Sequence, residues 1–350
     1  MTRHPHDALF KAAFEALGGA AALLRELLPP AVRHAVVWKT LDHERGSFVD
    51  VRLADRHSDL LFSAQLRTGA PARMYFLLEH QSTSDPQMPR RTLAYQSRIW
   101  DRFVKEHPGA RLAPVIAVLV SHVPGGWTAA RAFEELFDPD VMALAGLAPL
   151  VPRCAMIVED LMQRSNAALA ARPLGAFQRL ALWLLRDARD PAGLLDSFDA
   201  WIPAMLALRR TRSGRDHFAM LITYMFQVID PVNQEALHVK IRQLGPRSEK
   251  VAMTIAEQLH KQGRKKGLEE GLTKGLKRGL KKGRQEGRKE GRQEGRQEGR
   301  IDTLRSLLAF KFRTLSAKDE ARLQAATPEA IDRYLQRLLT ADSLADVFED

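Results

Sequence analysis

Two short apolar segments separated by a turn constrain the fold of this chain more than any other feature. The first, 58–62, reads Ser-Asp-Leu-Leu-Phe, and the second runs from Arg73 to Gln81. Turn-forming residues, among them Gly69 and Pro71, lie between them. Short apolar runs of branched and aromatic residues on either side of a turn are typical of a buried β-hairpin. The sequence therefore predicts a sheet built around this hairpin.

Acidic and amide side chains stand at the ends of the two predicted strands. Asp59 opens the first strand, and Glu79 and Gln81 close the second. Because side chains alternate along a strand, Glu79 and Gln81 share one face and His80 points to the other. Two carboxylates at one edge of a sheet can hold Mg²⁺, which is typically bound by one or two carboxylates with phosphate and water. The alternative is a solvated strand end, and the spacing alone does not decide between them.

Six short motifs occur in a fixed order along the chain, at 6–11, 28–30, 46–50, 58–61, 78–82 and 95–100. Together they closely resemble the Rpn family of recombination-promoting nucleases, also described as YhgA-like transposases, of the PD-(D/E)XK nuclease superfamily. The resemblance continues through a glycine repeat to the segments 304–308 and 311–312, so it covers nearly the whole chain.

The resemblance implies an α/β fold with a restriction-endonuclease-like core, in which helices flank a central mixed sheet in the order α-β-β-β-α-β. The sequence pattern agrees with that order. It predicts a helix over 7–28, a strand over 48–53, the hairpin, and a helix from about Pro89 to His107. The apolar segment 113–120 then predicts a strand buried on both faces of the sheet.

Four regions are predicted along the chain. Residues 1–125 form the nuclease-like core, and 126–260 form an all-α extension that packs on it and shows no catalytic constellation. Residues 261–300 form a basic glycine repeat, which is a long helix or a flexible linker. Residues 301–350 form a small helical segment.

The resemblance also implies roles for the residues at the predicted sheet edge. Asp59 and Glu79 become Mg²⁺ ligands through their carboxylates, with the backbone carbonyl of His80 as a third ligand. The metal would polarise the scissile phosphate and lower the pKa of its bound water. Gln81 stands where the superfamily has lysine, and a neutral amide can position the water but cannot balance negative charge.

Two further carboxylates are secondary candidates. Asp50 lies on the predicted strand beside the hairpin, in a motif like that of the family, and its alternative role is a plain strand-end carboxylate. Glu15 lies on the first predicted helix, off its apolar face, and its alternative role is solvent exposure.

One face of the predicted helix after Pro89 carries three arginines around a tyrosine. These residues recur at helical spacing and are Arg91, Tyr95, Arg98 and Arg102. Arginine binds phosphate oxygens in a bidentate manner, so this face is a candidate contact to the DNA backbone. The alternative is an ordinary solvated basic face.

Charge is concentrated in one region of the chain. Of the formal net charge of +11, residues 261–300 contribute +9 through fifteen Lys or Arg and six Glu, which leaves about +2 for the rest. A basic segment of this kind indicates an acidic partner such as double-stranded DNA. Glycine recurs there at every fourth position from Gly263 to Gly299. A helix with so many glycines would need a partner helix, and a homodimer through this repeat or through 126–260 is one possibility.

The remaining composition bears on the compartment. The single cysteine, Cys154, allows no intramolecular disulfide and no cysteine-based zinc site. The longest apolar run, 113–120, is too short to cross a bilayer. A bacterial cytoplasmic protein is therefore expected. The sequence as a whole predicts a Mg²⁺-dependent DNA endonuclease that hydrolyses phosphodiester bonds and promotes recombination. The alternative is an inactive DNA-binding or oligomeric scaffold on a nuclease-like fold.

Overall fold

The predicted hairpin is present at the centre of a mixed sheet in the computed structural model, which describes residues 4–44, 60–67 and 73–349. Within those ranges the sheet has five strands in spatial order: β1 (Asp42–His43), β2 (Leu60–Gln65), β3 (Arg73–Gln81), β4 (Val115–Ser121) and β5 (Ile157–Asp160). The first three strands pair antiparallel, and β3, β4 and β5 pair parallel. The mixed sheet confirms the α/β class. The strand predicted at 48–53 lies outside the described residues.

Helices form the remainder of the regular structure. In the described part of the chain they are α1 (Pro5–Phe14), α2 (Leu17–Leu27), α3 (Pro30–Ala35), α4 (Met88–Glu106), α5 (Pro139–Met142), α6 (Asn166–Ala170), α7 (Ala176–Asp187), α8 (Pro191–Leu208), α9 (Arg212–Val228), α10 (Gln234–Arg242), α11 (Pro246–Phe312), α12 (Ala317–Gln324), α13 (Pro328–Leu338) and α14 (Leu344–Val347). The chain divides into two compact units, Met1–Gly263 and Arg264–Asp350.

Helices cover both faces of the sheet in the first unit. Phe76 and Leu78 of β3 belong to a large apolar core that also contains residues of α1 and of α7 to α9. Tyr75 and Leu77, which alternate with them, belong to a smaller core with residues of α4. This arrangement explains why β2, β3 and β4 are almost continuously apolar, since neither face of these strands meets solvent.

The single helix predicted over 7–28 is wrong, because the chain forms two helices, α1 and α2, with a break between them. Ala16 has extended backbone angles, and Gly19 then lies close against the carbonyl of Ala13. A Cβ atom at Gly19 would stand 2.3 Å from that oxygen, so glycine is required for this close approach. The apolar periodicity continues across the break, which is why the sequence did not reveal it.

The prediction that residues 126–260 are entirely helical is wrong, because β5 lies in that region and belongs to the same sheet. β5 pairs parallel to β4, although its four residues carry too weak a pattern to predict a strand. The helices that follow bury a second layer of the core. In this layer the rings of Trp183 and Trp201 stack with centroids 5.2 Å apart.

The second unit contains most of the glycine repeat, and the repeat lies within α11. The repeat residues are exposed, and a Cβ atom at any glycine from Gly263 to Gly299 would meet no neighbouring atom. The final helices enclose a separate small core that includes Leu304, Ile331 and Phe348. Within the described residues, no helix combines the length and the apolar character that a membrane span requires.

A cluster of three histidines joins α1 to the sheet. His80 of β3 stacks on His122 with ring centroids 4.6 Å apart, and His6 of α1 meets His122 edge-on at 5.0 Å. His6 Nδ1 also lies 2.7 Å from the hydroxyl of Tyr224 on α9. Burial lowers the pKa of His6 from 6.5 to about 4, and the charges of His80 and Arg189 act in the same direction. His6 is therefore neutral in the folded protein at pH 7.

Removing a large ring from the main core tests the packing of α1. Phe14 is fully buried, so Phe14→Ala should lower the free energy of unfolding by about 3–5 kcal/mol, through lost transfer energy and a cavity. All five tryptophans lie between Trp38 and Trp201, so tryptophan fluorescence during urea unfolding reports on the first unit. Val232→Ala, at a residue 88% exposed, is the control and should change little. Equal effects of the two substitutions would contradict the assigned core.

The histidine cluster predicts a dependence of stability on pH. Because the pKa of His6 is lower in the folded than in the unfolded chain, unfolded protein binds more protons between about pH 6.5 and 4, and stability falls as the pH falls through that window. We expect His6→Phe to remove about 1–2 kcal/mol of this loss, allowing for the partial exposure of His6. The comparison is urea unfolding at pH 7.5 and pH 5. His260→Phe, at an exposed histidine, should leave the loss unchanged.

Candidate active site

Glu79 occupies the end of β3 that also carries Gln81, on the face of the sheet that α4 covers. Its side chain is 3% exposed, so its carboxylate has been removed almost entirely from water. Removing an ionised carboxylate from water costs several kcal/mol unless a positive charge and hydrogen bonds replace the solvent. The neighbours of Glu79 therefore decide what this position can do.

Two side chains donate hydrogen bonds to the same oxygen of Glu79. Gln81 Nε2 donates to Glu79 Oε1 at 2.9 Å, which confirms that the two residues share a face. The Nη2 group of Arg91 donates to that oxygen as well. Arg91 lies in the first turn of α4, and its Nη1 group donates to Asp85 Oδ2 at 2.7 Å. The guanidinium thus bridges a buried carboxylate and a more exposed one.

The charge of Arg91 is firmly maintained at this site. Burial by itself lowers the pKa of Arg91, but the charge and the hydrogen bond of Glu79 outweigh it, so the pKa is raised. The side chain of Arg91 is 17% exposed, compared with 30% for Asp85. A half-buried arginine with two carboxylate partners is a fixed part of the site and differs from a mobile surface cation.

His80 has its side chain on the opposite face, as the alternation predicts. Its ring is buried between Phe10 and His122, with centroid distances of 5.0 and 4.6 Å. Its Nδ1 atom lies 3.5 Å from a carboxylate oxygen of Asp7. Burial lowers the pKa of His80, although Asp7 opposes that effect. The ring joins α1 to the sheet, and only the backbone of His80 is available to the Glu79 face.

The predicted basic face of α4 is only partly present. Tyr95 is 4% exposed and packs in the core with Tyr75 and Phe103, so the expectation that it lies on an exposed DNA-binding face is wrong. The apolar side of the helix is broader than the spacing of its aliphatic residues suggested, and it includes the tyrosine ring. Arg98 is half-buried, and Arg102 is 41% exposed and donates to Glu106 at 2.5 Å.

The other predicted carboxylates fall in different places. Asp59 and Asp50 lie outside the described residues. Glu15 is exposed at the C-terminal end of α1, a helix whose Phe10 ring stacks on His80, on the face of β3 opposite Glu79. The structure therefore does not bring Glu15 into the group around Glu79.

Of the two carboxylates of the predicted metal site, only Glu79 lies in the described part of the chain. Across residues 4–44, 60–67 and 73–349, no group of three His, Cys, Asp or Glu side chains is arranged to hold a metal ion. Glu79 supplies one carboxylate at a sheet end, and Asp59 directly precedes Leu60, the first residue of β2. Since Mg²⁺ is typically held by one or two carboxylates with phosphate and water, Glu79 fits one part of such a site.

Sequence reasoning missed two acidic residues that have defined partners. Asp85 holds Arg91, and the only sequence signal is its position in the turn before α4. Glu159 of β5 is buried and accepts hydrogen bonds from Arg164 and Arg172 at 2.9–3.0 Å. Arg172 also contacts Glu26 of α2, so the Glu159 group forms a buried ion-pair network that ties α2 to the sheet.

Comparison with known proteins identifies one matching protein family. A model of the protein family described as "Putative transposase, YhgA-like" matches residues 4–211, which include β1 to β5 and α4. No solved protein structure matches the chain at a significant level.

Three relatives from Escherichia coli match most of the chain. Recombination-promoting nuclease RpnD from strain O157:H7 is 28% identical over 74% of this chain and 95% of its own length. Recombination-promoting nuclease RpnA from K12 is 27% identical over 74% of this chain and 84% of its own length. The K12 protein named inactive recombination-promoting nuclease-like protein RpnE is 27% identical over 75% and 83%. With motifs, fold and family match in agreement, the chain belongs to the YhgA-like, or Rpn, family of recombination-promoting nucleases.

Proposed function

We propose that this protein is a Mg²⁺-dependent DNA endonuclease that hydrolyses phosphodiester bonds in double-stranded DNA and thereby promotes recombination in the cytoplasm. The proposal places the site on a PD-(D/E)XK-type core. Asp59 and Glu79 bind the metal with the backbone carbonyl of His80, and Gln81 positions the water. Two of the three relatives described above carry the name recombination-promoting nuclease, which supports the reaction class.

The observation that carries the proposal is the buried carboxylate of Glu79 at the end of β3. Leu78 of β3 pairs with Leu60 of β2, and Asp59 directly precedes Leu60 in the chain. Asp59 and Glu79 are therefore each next in sequence to one member of the pair formed by Leu60 and Leu78. A buried carboxylate that an arginine and an amide compensate at one oxygen contributes little net stability, and its place at the sheet end predicted for the metal supports a functional role.

In the proposed reaction, Gln81 and the basic residues of α4 and α11 have roles beside that of the metal. When bound, Mg²⁺ supplies Lewis-acid polarisation of the phosphate and a bound water of lowered pKa. The side chain of Gln81 accepts and donates hydrogen bonds, so it can orient a water on the Glu79 face of the sheet. The helix face with Arg98 and Arg102 and the basic repeat of α11 offer contacts to the DNA backbone, and these contacts should weaken with salt.

The proposal predicts a specific pattern of plasmid cleavage. Asp59→Ala and Glu79→Ala should each reduce Mg²⁺-dependent cleavage by at least about 100-fold, because each removes a ligand carboxylate, and EDTA should abolish the activity. DNA binding, measured by fluorescence anisotropy, should persist or become tighter because a carboxylate that repels phosphate has been removed.

Glu15→Ala is the matched control for that experiment. It removes an exposed carboxylate from the opposite side of the sheet and should cleave like the wild type. Cleavage that survives both Asp59→Ala and Glu79→Ala would refute the assigned site. A wild type that binds DNA without cleaving it would favour the second candidate function.

The second candidate is an oligomeric scaffold protein built on the same fold, and a row of exposed leucines in α11 favours it. Leu268, Leu272, Leu276 and Leu280 follow one another at four-residue intervals and are 62–76% exposed. The relative named inactive RpnE shows that the family name is also given to proteins labelled inactive. Exposed leucines of this number on one helix indicate that another chain covers them.

In this candidate function the chain that covers the leucines is a second copy of this protein, paired through the leucine row of α11.

The mass of the protein in solution tests the homodimer. Leu272→Lys combined with Leu276→Lys should convert a dimer into a monomer in multi-angle light scattering, because it places charges in the centre of the apolar row. Leu339→Lys, at a leucine 82% exposed outside the row, should leave the mass unchanged. A wild type that is monomeric, or a double variant that remains dimeric, would rule out pairing through these leucines.

A further inference from the structure

Phosphodiester hydrolysis creates negative charge that the pair of Glu79 and Gln81 cannot balance. As water attacks, charge builds on the non-bridging oxygens of the phosphate and on the leaving oxygen, and preorganised cationic donors aimed at those oxygens stabilise it. Gln81 is a neutral amide and Glu79 is an anion. If the proposed function holds, the bound Mg²⁺ supplies part of that positive charge, and a cationic side chain that adds to it must come from an element other than the end of β3.

Arg91 is a side-chain cation in direct contact with Glu79. The other arginines of α4 have different surroundings. Arg90 is exposed and donates to Gln87 at 3.3 Å, and Arg102 is paired with Glu106. Arg98 lies two turns further along the helix and is half-buried. Arg91 is the guanidinium that the fold has placed at this site.

We propose that Arg91 is a catalytic residue of the nuclease, whose guanidinium turns from Glu79 to the scissile phosphate when the divalent cation and DNA bind. The inference rests on the proposed function and adds a residue to it. In the free protein the guanidinium neutralises the buried carboxylate of Glu79. In the complex the divalent cation takes over that task and leaves the guanidinium available for the phosphate.

Asp85, the second partner of Arg91, keeps the guanidinium in place during this exchange. The Nη1 group is held by Asp85, a more exposed carboxylate in the turn that precedes α4, while Nη2 contacts Glu79. A guanidinium has five N–H donors in a rigid plane, so one edge can stay on Asp85 while another edge contacts phosphate oxygens. Asp85 is accordingly a positioning residue.

A competition follows from this arrangement, because the guanidinium and the divalent cation share the carboxylate of Glu79. Loss of the arginine charge removes a repulsion felt by the incoming cation and frees the oxygen that it needs. Loss of the same charge also removes stabilisation of the developing negative charge on the phosphate. Loss of the arginine charge should therefore raise the affinity for the divalent cation and lower the rate of cleavage. The loss of a purely structural arginine would not produce that combination.

The experiment compares Arg91→Gln, Arg91→Lys and the control Arg90→Gln in the full-length chain. Binding of Mn²⁺ without DNA is measured by electron paramagnetic resonance, and cleavage of a plasmid is measured under single-turnover conditions. Arg91→Gln should cleave about 100-fold more slowly and bind Mn²⁺ about tenfold more tightly. Arg91→Lys, which keeps the charge but cannot bridge two partners, should show a smaller loss of cleavage. Arg90→Gln should match the wild type in both measurements.

The possible results separate this inference from the proposed function. If the wild type cleaves and Arg91→Gln cleaves equally well, Arg91 is not catalytic, and the nuclease assignment stands. If Arg91→Gln binds Mn²⁺ more weakly than the wild type, the arginine only holds Glu79 in place and the inference is wrong. If the wild type neither binds Mn²⁺ nor cleaves DNA, both proposals fail. Thermal unfolding of Arg91→Gln and Arg91→Lys shows whether each variant is folded under the conditions of the assays.

Discussion

The structure around the end of β3 depends on compensating the charge of one buried carboxylate, that of Glu79. Glu79 sits where the sheet end meets α4, with almost no access to water. Its charge can persist there only with a cation and hydrogen bonds nearby. The start of α4 supplies the arginine, the next outward position on β3 supplies the amide, and the turn between β3 and α4 supplies the carboxylate that anchors the arginine. The segment from Glu79 to Arg91 therefore contains the buried carboxylate, the two side chains that donate to it and the carboxylate that anchors the arginine.

The sheet fixes that segment in space because helices cover both faces of the sheet. On one side, α1 and the helices from α7 to α9 enclose the large core, and on the other side α4 packs over Tyr75 and Leu77. A strand packed in this way cannot slip by one residue without exchanging its two faces. The register that pairs Leu60 with Leu78 is thereby strongly specified.

The parts of the structure with strong periodicity could be predicted from the sequence, and the parts that depend on contacts between distant residues could not. Alternation along β3 correctly put Glu79 and Gln81 on one face and His80 on the other. The helical spacing of Tyr95 did not reveal that its ring is buried, because the width of the apolar face depends on the sheet beneath it. The partnership of Asp85 with Arg91 depends on how the chain turns into α4, which has no short sequence pattern.

Glu79 and His80 are joined by a single peptide bond, yet they belong to opposite sides of the sheet. Consecutive Cα atoms are held about 3.8 Å apart across a peptide unit, so a displacement of the backbone at His80 also moves the backbone of Glu79. Active sites work within a positional tolerance of about 0.5 Å. Substitutions in the layer formed by His6, Phe10 and His122 that shift the backbone of His80 are therefore expected to disturb the Glu79 face as well, although that face lies on the other side of the sheet.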